Sequence, residues 1–170
     1  MSAQTTTASL MLTSSDIAEG ETIADMFTFN GFGCAGGNLS PALSWSGAPA
    51  ATRSFALTCY DPDAPTGSGF WHWVVFNIPA DVSQLPRGAG DPRSPAAPQG
   101  AVQSRTDYGL VGYGGPCPPP GDKPHRYQFT IFAVDVDKLD ADEQSSAAVV
   151  GFNLHFHTLA RLTLTALYGQ

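Results

Sequence analysis

The feature that most limits what this chain can fold into is a period of two. In "RSFALTCYD" (residues 53–61), Arg53, Phe55, Leu57, Cys59 and Asp61 fall on one face, and Ser54, Ala56, Thr58 and Tyr60 on the other. "HWVVFNIP" from His72 and "HRYQFTIFAVDV" from His125 are aromatic and β-branched in the same manner. Such alternation specifies pleated, half-buried strands. The intervening segments cannot continue a ladder: residues 86–100 hold four prolines and three glycines, and residues 115–124 hold five prolines. Both read as irregular loops inside one domain spanning residues 1–170. A further short strand is expected in the dozen residues after Ala8, and "LARLTLTALY" reads as the last one. One helix is expected near residues 142–156, "DEQSSAAVVGFNLHF", with acidic residues at its start. The expected fold is mostly β with one late helix.

Charge and apolar runs exclude several function classes. The net charge is −7 with only eight Lys and Arg, so the chain lacks the basic footprint that neutralises nucleic-acid phosphates. No run reaches the roughly eighteen apolar residues of a membrane span. The first basic residue is Arg53, whereas a secretory leader starts basic; a cytoplasmic location is the expectation. Three cysteines, Cys34, Cys59 and Cys117, are too few and odd in number for a disulfide framework, so reduced thiols are expected.

Candidate chemistry collects at strand ends. About ten residues join the strand ending at Asp61 to the one beginning near His72, which suits antiparallel neighbours and is too short for a helical crossover. Asp61 and His72 should then meet at one sheet edge. Asp61 follows Phe55, Leu57 and Cys59 at steps of two, and His72 precedes Val74 and Phe76. His125 and Tyr127 likewise precede Phe129, Ile131 and Ala133. If that strand enters from the same end, four polar side chains ring one apolar pocket. Trp71 and Trp73 are expected on the face opposite His72. Gly114 and Gly115, in "GYGGP", can turn consecutive N–H groups inward as an anion nest. Histidine, tyrosine and backbone donors suit a phosphate or carboxylate, and a carboxylate such as Asp61 raises a histidine's proton affinity.

Plainer roles exist for each residue alone. Asp61 before Pro62 can organise a turn, either histidine can be structural, and Tyr127 can be core. Only their convergence points to a site. A metal on Asp61, His72 and His125 has no supporting pattern, and "HFH" at His155 and His157 reads as a helix end. Ser68 lacks a nucleophile elbow, no dinucleotide or P-loop glycine pattern occurs, and no cofactor is expected.

"DPDAPTGSGFWHW", followed some forty residues later by "GYGGPCPPPGDKPHRY", resembles the phosphatidylethanolamine-binding protein (PEBP) family. "SPALSWSG" and "VGFNLHFHTLA" look like its bacterial, Raf-kinase-inhibitor-like branch. The resemblance implies a central antiparallel β-sheet sandwich with a small anion pocket at one edge. It places Asp61, His72, His125 and Tyr127 in that pocket, Gly115 and Pro116 as backbone donor and wall, and Asp63, Ala64 and Pro65 in the adjoining turn. It implies phosphate, phosphoethanolamine or a similar anion as ligand, a homodimer, and in some members regulation of kinases or inhibition of proteases. The turn before His72 is shorter than in animal members, and no helix follows the last strand, so a more open pocket is expected.

The leading reading is therefore a non-enzymatic anion-binding protein that regulates a signalling partner. One rival is a hydrolase or isomerase using Asp61 and His72 as an acid–base pair. Another is a protease-inhibitor or protein-interaction module with an incidental pocket.

Overall fold

A computed structural model describes residues 9–170; residues 1–8 of the expected domain lie outside the described residues. The alternating segments form strands as expected. They are β1 (Met11–Thr13), β2 (Leu43–Ser46), β3 (Ser54–Asp61), β4 (Phe70–Pro79), β5 (Gln84–Leu85), β6 (Val102–Gln103) and β7 (His125–Val134), then helix α1 (Ala147–His157) and β8 (Thr158–Tyr168). Two antiparallel sheets result, one ordered β1-β2-β5 and the other β6-β4-β3-β7-β8.

The sheets face each other across the main core. Leu12, Leu43, Trp45 and Leu85 of the small sheet belong to one buried cluster with Phe55, Leu57, Cys59, Phe129, Ile131 and Ala133 of the large one. The other face of the large sheet packs Ala56, Val74, Phe76 and Val134 against Ala147, Val150 and Leu154 of α1. The large sheet is thus covered on both faces, which is why β3 buries nearly every residue, odd and even alike.

Helix α1 starts later than its acidic residues suggest. Ser146 caps it, its hydroxyl accepting the Val149 N–H at 3.2 Å. Asp142 instead folds a turn ahead of the helix, its carboxylate accepting the Gln144 N–H at 2.9 Å. His155 and His157 do occupy the last turn.

Strand β4 departs from strict alternation in a way that builds the site. Cys59 pairs with Trp73 and Tyr60 with Trp71, so His72 is an extra residue in a β-bulge. The expectation that Trp71 and Trp73 share a face therefore fails. Trp73 enters the main core and donates to Gln103 Oε1 at 2.7 Å, whereas Trp71 packs on the helix side against Tyr60. The cysteines also differ from expectation: Cys34 and Cys117 form a disulfide, and Cys59 is the free, buried thiol.

Candidate functional site

Three strand ends meet at one edge of the large sheet. β3 ends on Asp61, and β4 and β7, both antiparallel to it, begin on Phe70 and His125. The bulge turns His72 away from the helix-side face of Val74 and Phe76 and toward Tyr127, with ring centroids 5.2 Å apart. Asp61, His72, His125 and Tyr127 consequently line one cavity of about 310 Å³, closed by Pro65, Phe70, Tyr108 and the Phe32 and Cys117 loops. The four polar residues are only 2 %, 3 %, 3 % and 0 % exposed, respectively. A larger hollow of about 650 Å³ lies on the far side of Tyr108. Two of its polar side chains are already paired: Ser40 accepts the Gly90 N–H at 2.8 Å, and Asn38 the Gly115 N–H at 2.8 Å.

Hydrogen bonding assigns the protons. His72 Nδ1 lies 2.7 Å from the Gly114 carbonyl, which can only accept, so Nδ1 carries the hydrogen. Burial holds the imidazole below the usual histidine range, outweighing the Gly114 contact and the field of Asp61. In the neutral ring that burial favours, Nδ1 holds the hydrogen and Nε2 keeps a free lone pair. His125 is the opposite case. Its Nδ1 lies 2.7 Å from Asp61 and its Nε2 3.0 Å from Asp122. Burial opposes its charge, yet the two carboxylates outweigh it and raise its proton affinity, leaving an imidazolium. Asp61 and His72 do meet at one sheet edge, as the loop length suggests, and the hydrogen-bond partner of Asp61 there is His125. The phenol of Tyr127 is pushed up, chiefly by burial and then by Asp61, and its hydroxyl has no hydrogen-bond partner.

The turn residues hold these groups in place. The Asp61 carboxylate accepts the Asp63 N–H at 2.8 Å. Asp63 points outward and accepts both the Arg126 N–H at 2.9 Å and its guanidinium at 2.8 Å, which keeps its carboxyl at about 2. Pro65 lines the cavity with Ala64.

Gly115 and Pro116 stand behind the wall, outside the cavity lining. The Gly115 N–H donates to Asn38 and the Gly114 N–H to the His72 carbonyl at 2.9 Å, so the expected anion nest does not form. Neither glycine has positive φ. They are required for close approach: a Cβ on Gly115 would strike the Phe27 carbonyl, and one on Gly114 the Tyr108 ring. Pro116 accepts the Phe29 N–H at 2.9 Å, fixing the disulfide-linked loop that carries Phe32.

Sequence reasoning missed Phe32, Tyr108 and Asp122. Phe32 sits at φ 52° and is 79 % exposed at the cavity mouth. Its one visible sign was the glycine-rich "NGFGCAGG" beside Cys34. Among the described residues no group of three or more His, Cys, Asp or Glu is arranged to hold a metal ion.

Fold and site together define a two-sheet antiparallel sandwich with a small cavity lined by polar residues at one edge. A model of the phosphatidylethanolamine-binding protein family matches residues 13–169, and the chain belongs to that family. It is 52 % identical over 161 residues to the UPF0098 protein YbcL of Escherichia coli, covering 95 % of this chain and 88 % of that one. It is 51 % identical over 160 residues to YbhB of the same organism, covering 94 % of this chain and all of that one. The crystal structure of YbcL, a member of the mammalian PEBP family, superposes with a TM-score of 0.93 over 96 % of this chain and 99 % of that one. No helix among the described residues is long and apolar enough to cross a membrane.

Proposed function

We propose that this chain, a single PEBP-type domain over residues 1–170, binds a small anionic group without transforming it: phosphate, a phosphorylated head group such as phosphoethanolamine, or a carboxylate. His72 and Tyr127 touch the ligand, Asp61 and His125 form the charged floor, and Pro65 is a wall. Asp63, Gly115 and Pro116 act one layer out. The observation that carries this reading is Tyr127, which lines the cavity with His72 and whose hydroxyl is buried without a partner. A buried hydroxyl without a partner costs stability, and a ligand acceptor removes that cost. Binding without turnover is favoured because Asp61 is committed to His125, so the Asp61–His72 acid–base pair of an enzyme is not assembled.

Calorimetric titration of O-phosphoethanolamine and inorganic phosphate into wild type, His72→Ala and Tyr127→Phe tests this. Saturable binding that weakens in both folded variants is the expected result. Binding indifferent to both substitutions would remove the pocket assignment.

A regulated signalling partner, such as a kinase, would be recognised through a phosphorylated group it presents. A homodimer is proposed as well. It is supported by exposed Val149, Phe152 and Phe156 of α1 and exposed Leu159 at the start of β8, apolar side chains that a second copy would cover. The Cys34–Cys117 disulfide favours an oxidising compartment over the cytoplasm expected from sequence.

A further inference from the structure

The donors and acceptors around the cavity are unequal, and the imbalance specifies the ligand's proton. The unpaired donor is the Tyr127 hydroxyl. His72, whose Nδ1 is taken by the Gly114 carbonyl, and Asp61, whose two oxygens each already take one hydrogen, from Asp63 N–H and His125, line the same cavity. Every nearby cation is committed: His125 to Asp61 and Asp122, and Arg126 to Asp63. The Tyr108 hydroxyl donates to the Gly115 carbonyl at 2.9 Å, and Asp107 accepts the Trp71 N–H at 2.8 Å. Asp61 is the one carboxylate lining the cavity, and neither His125 nor Arg126 is left uncommitted to meet a ligand's charge.

A fully ionised ligand offers only lone pairs. Against His72 Nε2 and Asp61 it would set lone pair on lone pair in a buried site. We propose that the pocket recognises a phosphate group still carrying one proton, free or as a monoester, and rejects sulfate of similar shape. This rests on the anion-pocket reading above. The ligand P–OH donates to His72 Nε2 or Asp61 while another phosphate oxygen accepts from Tyr127. No covalent bond changes. Above the ligand's own pKa the proton comes from solvent, so complex formation takes up one proton.

The test is a pair of ligands with equal head charge and unequal hydrogen: O-phosphoethanolamine, whose monoanion has a P–OH, and 2-aminoethyl sulfate, which has none. Calorimetry on wild-type protein near pH 5.5 should show the phosphate ester binding about 100-fold more tightly, since a site built to pair a hydrogen rejects the analogue lacking it. Above about pH 6, where phosphomonoesters lose that proton, its affinity should fall about tenfold per pH unit. The sulfate ester should show no such fall. Inorganic phosphate against inorganic sulfate repeats the comparison for the free ion, and the tighter of the two phosphates identifies the source. In His72→Gln, whose amide brings its own hydrogen, the preference should narrow at least tenfold. Phosphate and sulfate esters binding within threefold of each other, or phosphate affinity flat with pH, would overturn the proposal and leave the anion pocket standing. Binding by none of the four ligands would overturn both.

Discussion

Reducing the Cys34–Cys117 disulfide should destabilise the fold by an amount the chain length sets. The two cysteines are 83 residues apart in sequence. Freeing a loop of that size returns about 15 cal/mol/K to the denatured chain, or about 4.5 kcal/mol at 25 °C. A domain of this size loses about 2–4 °C of Tm per kcal/mol, so reduction should lower Tm by about 9–18 °C. Melting followed by far-UV circular dichroism, with and without a phosphine reductant, measures this, and Cys34→Ser and Cys117→Ser should each reproduce the reduced curve. The bridge also anchors one wall of the pocket, since Cys117 and Phe32 both line it. Ligand affinity should therefore fall on reduction at temperatures where the fold survives. Oxidised and reduced proteins melting within about 2 °C of one another would refute the loop-closure reasoning.

Other outcomes follow from the site. Tyr127→Phe removes an unpaired buried hydroxyl, so Tm should hold or rise slightly while anion affinity drops about tenfold in a titration. Gly115→Ala should cost about 1–3 kcal/mol in urea melts, because the new methyl meets the Phe27 backbone. Asp61→Asn leaves a buried imidazolium with one exposed partner and should cost about 3–5 kcal/mol; the proton affinity of His125, read by NMR, should fall with it. The two pocket histidines act oppositely on stability. The contribution of His125, whose affinity is raised, is complete below its unfolded pKa of about 6.5 and disappears as pH rises through the folded value. The contribution of His72, whose affinity is lowered, is present above about 6.5 and is lost as pH falls toward the folded value. Tm plotted against pH should peak near 6.5, and the alkaline decline should shrink in Asp61→Asn.

Much of this was legible in the chain because strand periodicity reports which face is buried. The alternation of Phe55, Leu57 and Cys59, and of Phe129, Ile131 and Ala133, does mark one core face. What alternation cannot show is a bulge. The extra residue at His72 separates Trp71 from Trp73 and turns the histidine toward Tyr127; counting by twos placed it with Val74 and Phe76. Loop length put Asp61 and His72 at one edge, but the carboxylate's partner depends on which ring reaches it, and that is His125 on β7. Gly114 and Gly115 suggested a nest because glycine permits unusual backbone angles, whereas here they make room for Tyr108 and the Phe27 carbonyl. The short strands β5 and β6 have two residues each, too few for any period. The disulfide joins loops 83 residues apart, a separation no local pattern encodes.

The most direct test of the pocket is the nitrogen-15 spectrum of histidine side chains in uniformly labelled protein, with and without saturating O-phosphoethanolamine near pH 6. The chain has four histidines, His72, His125, His155 and His157, and single substitutions assign them. The account predicts that His72 Nε2 moves from a free lone pair to a hydrogen-bonded nitrogen, while His125 stays an imidazolium and the two helix histidines stay still. A silent His72 with binding intact, or shifts confined to His155 and His157, would contradict it and place the ligand elsewhere.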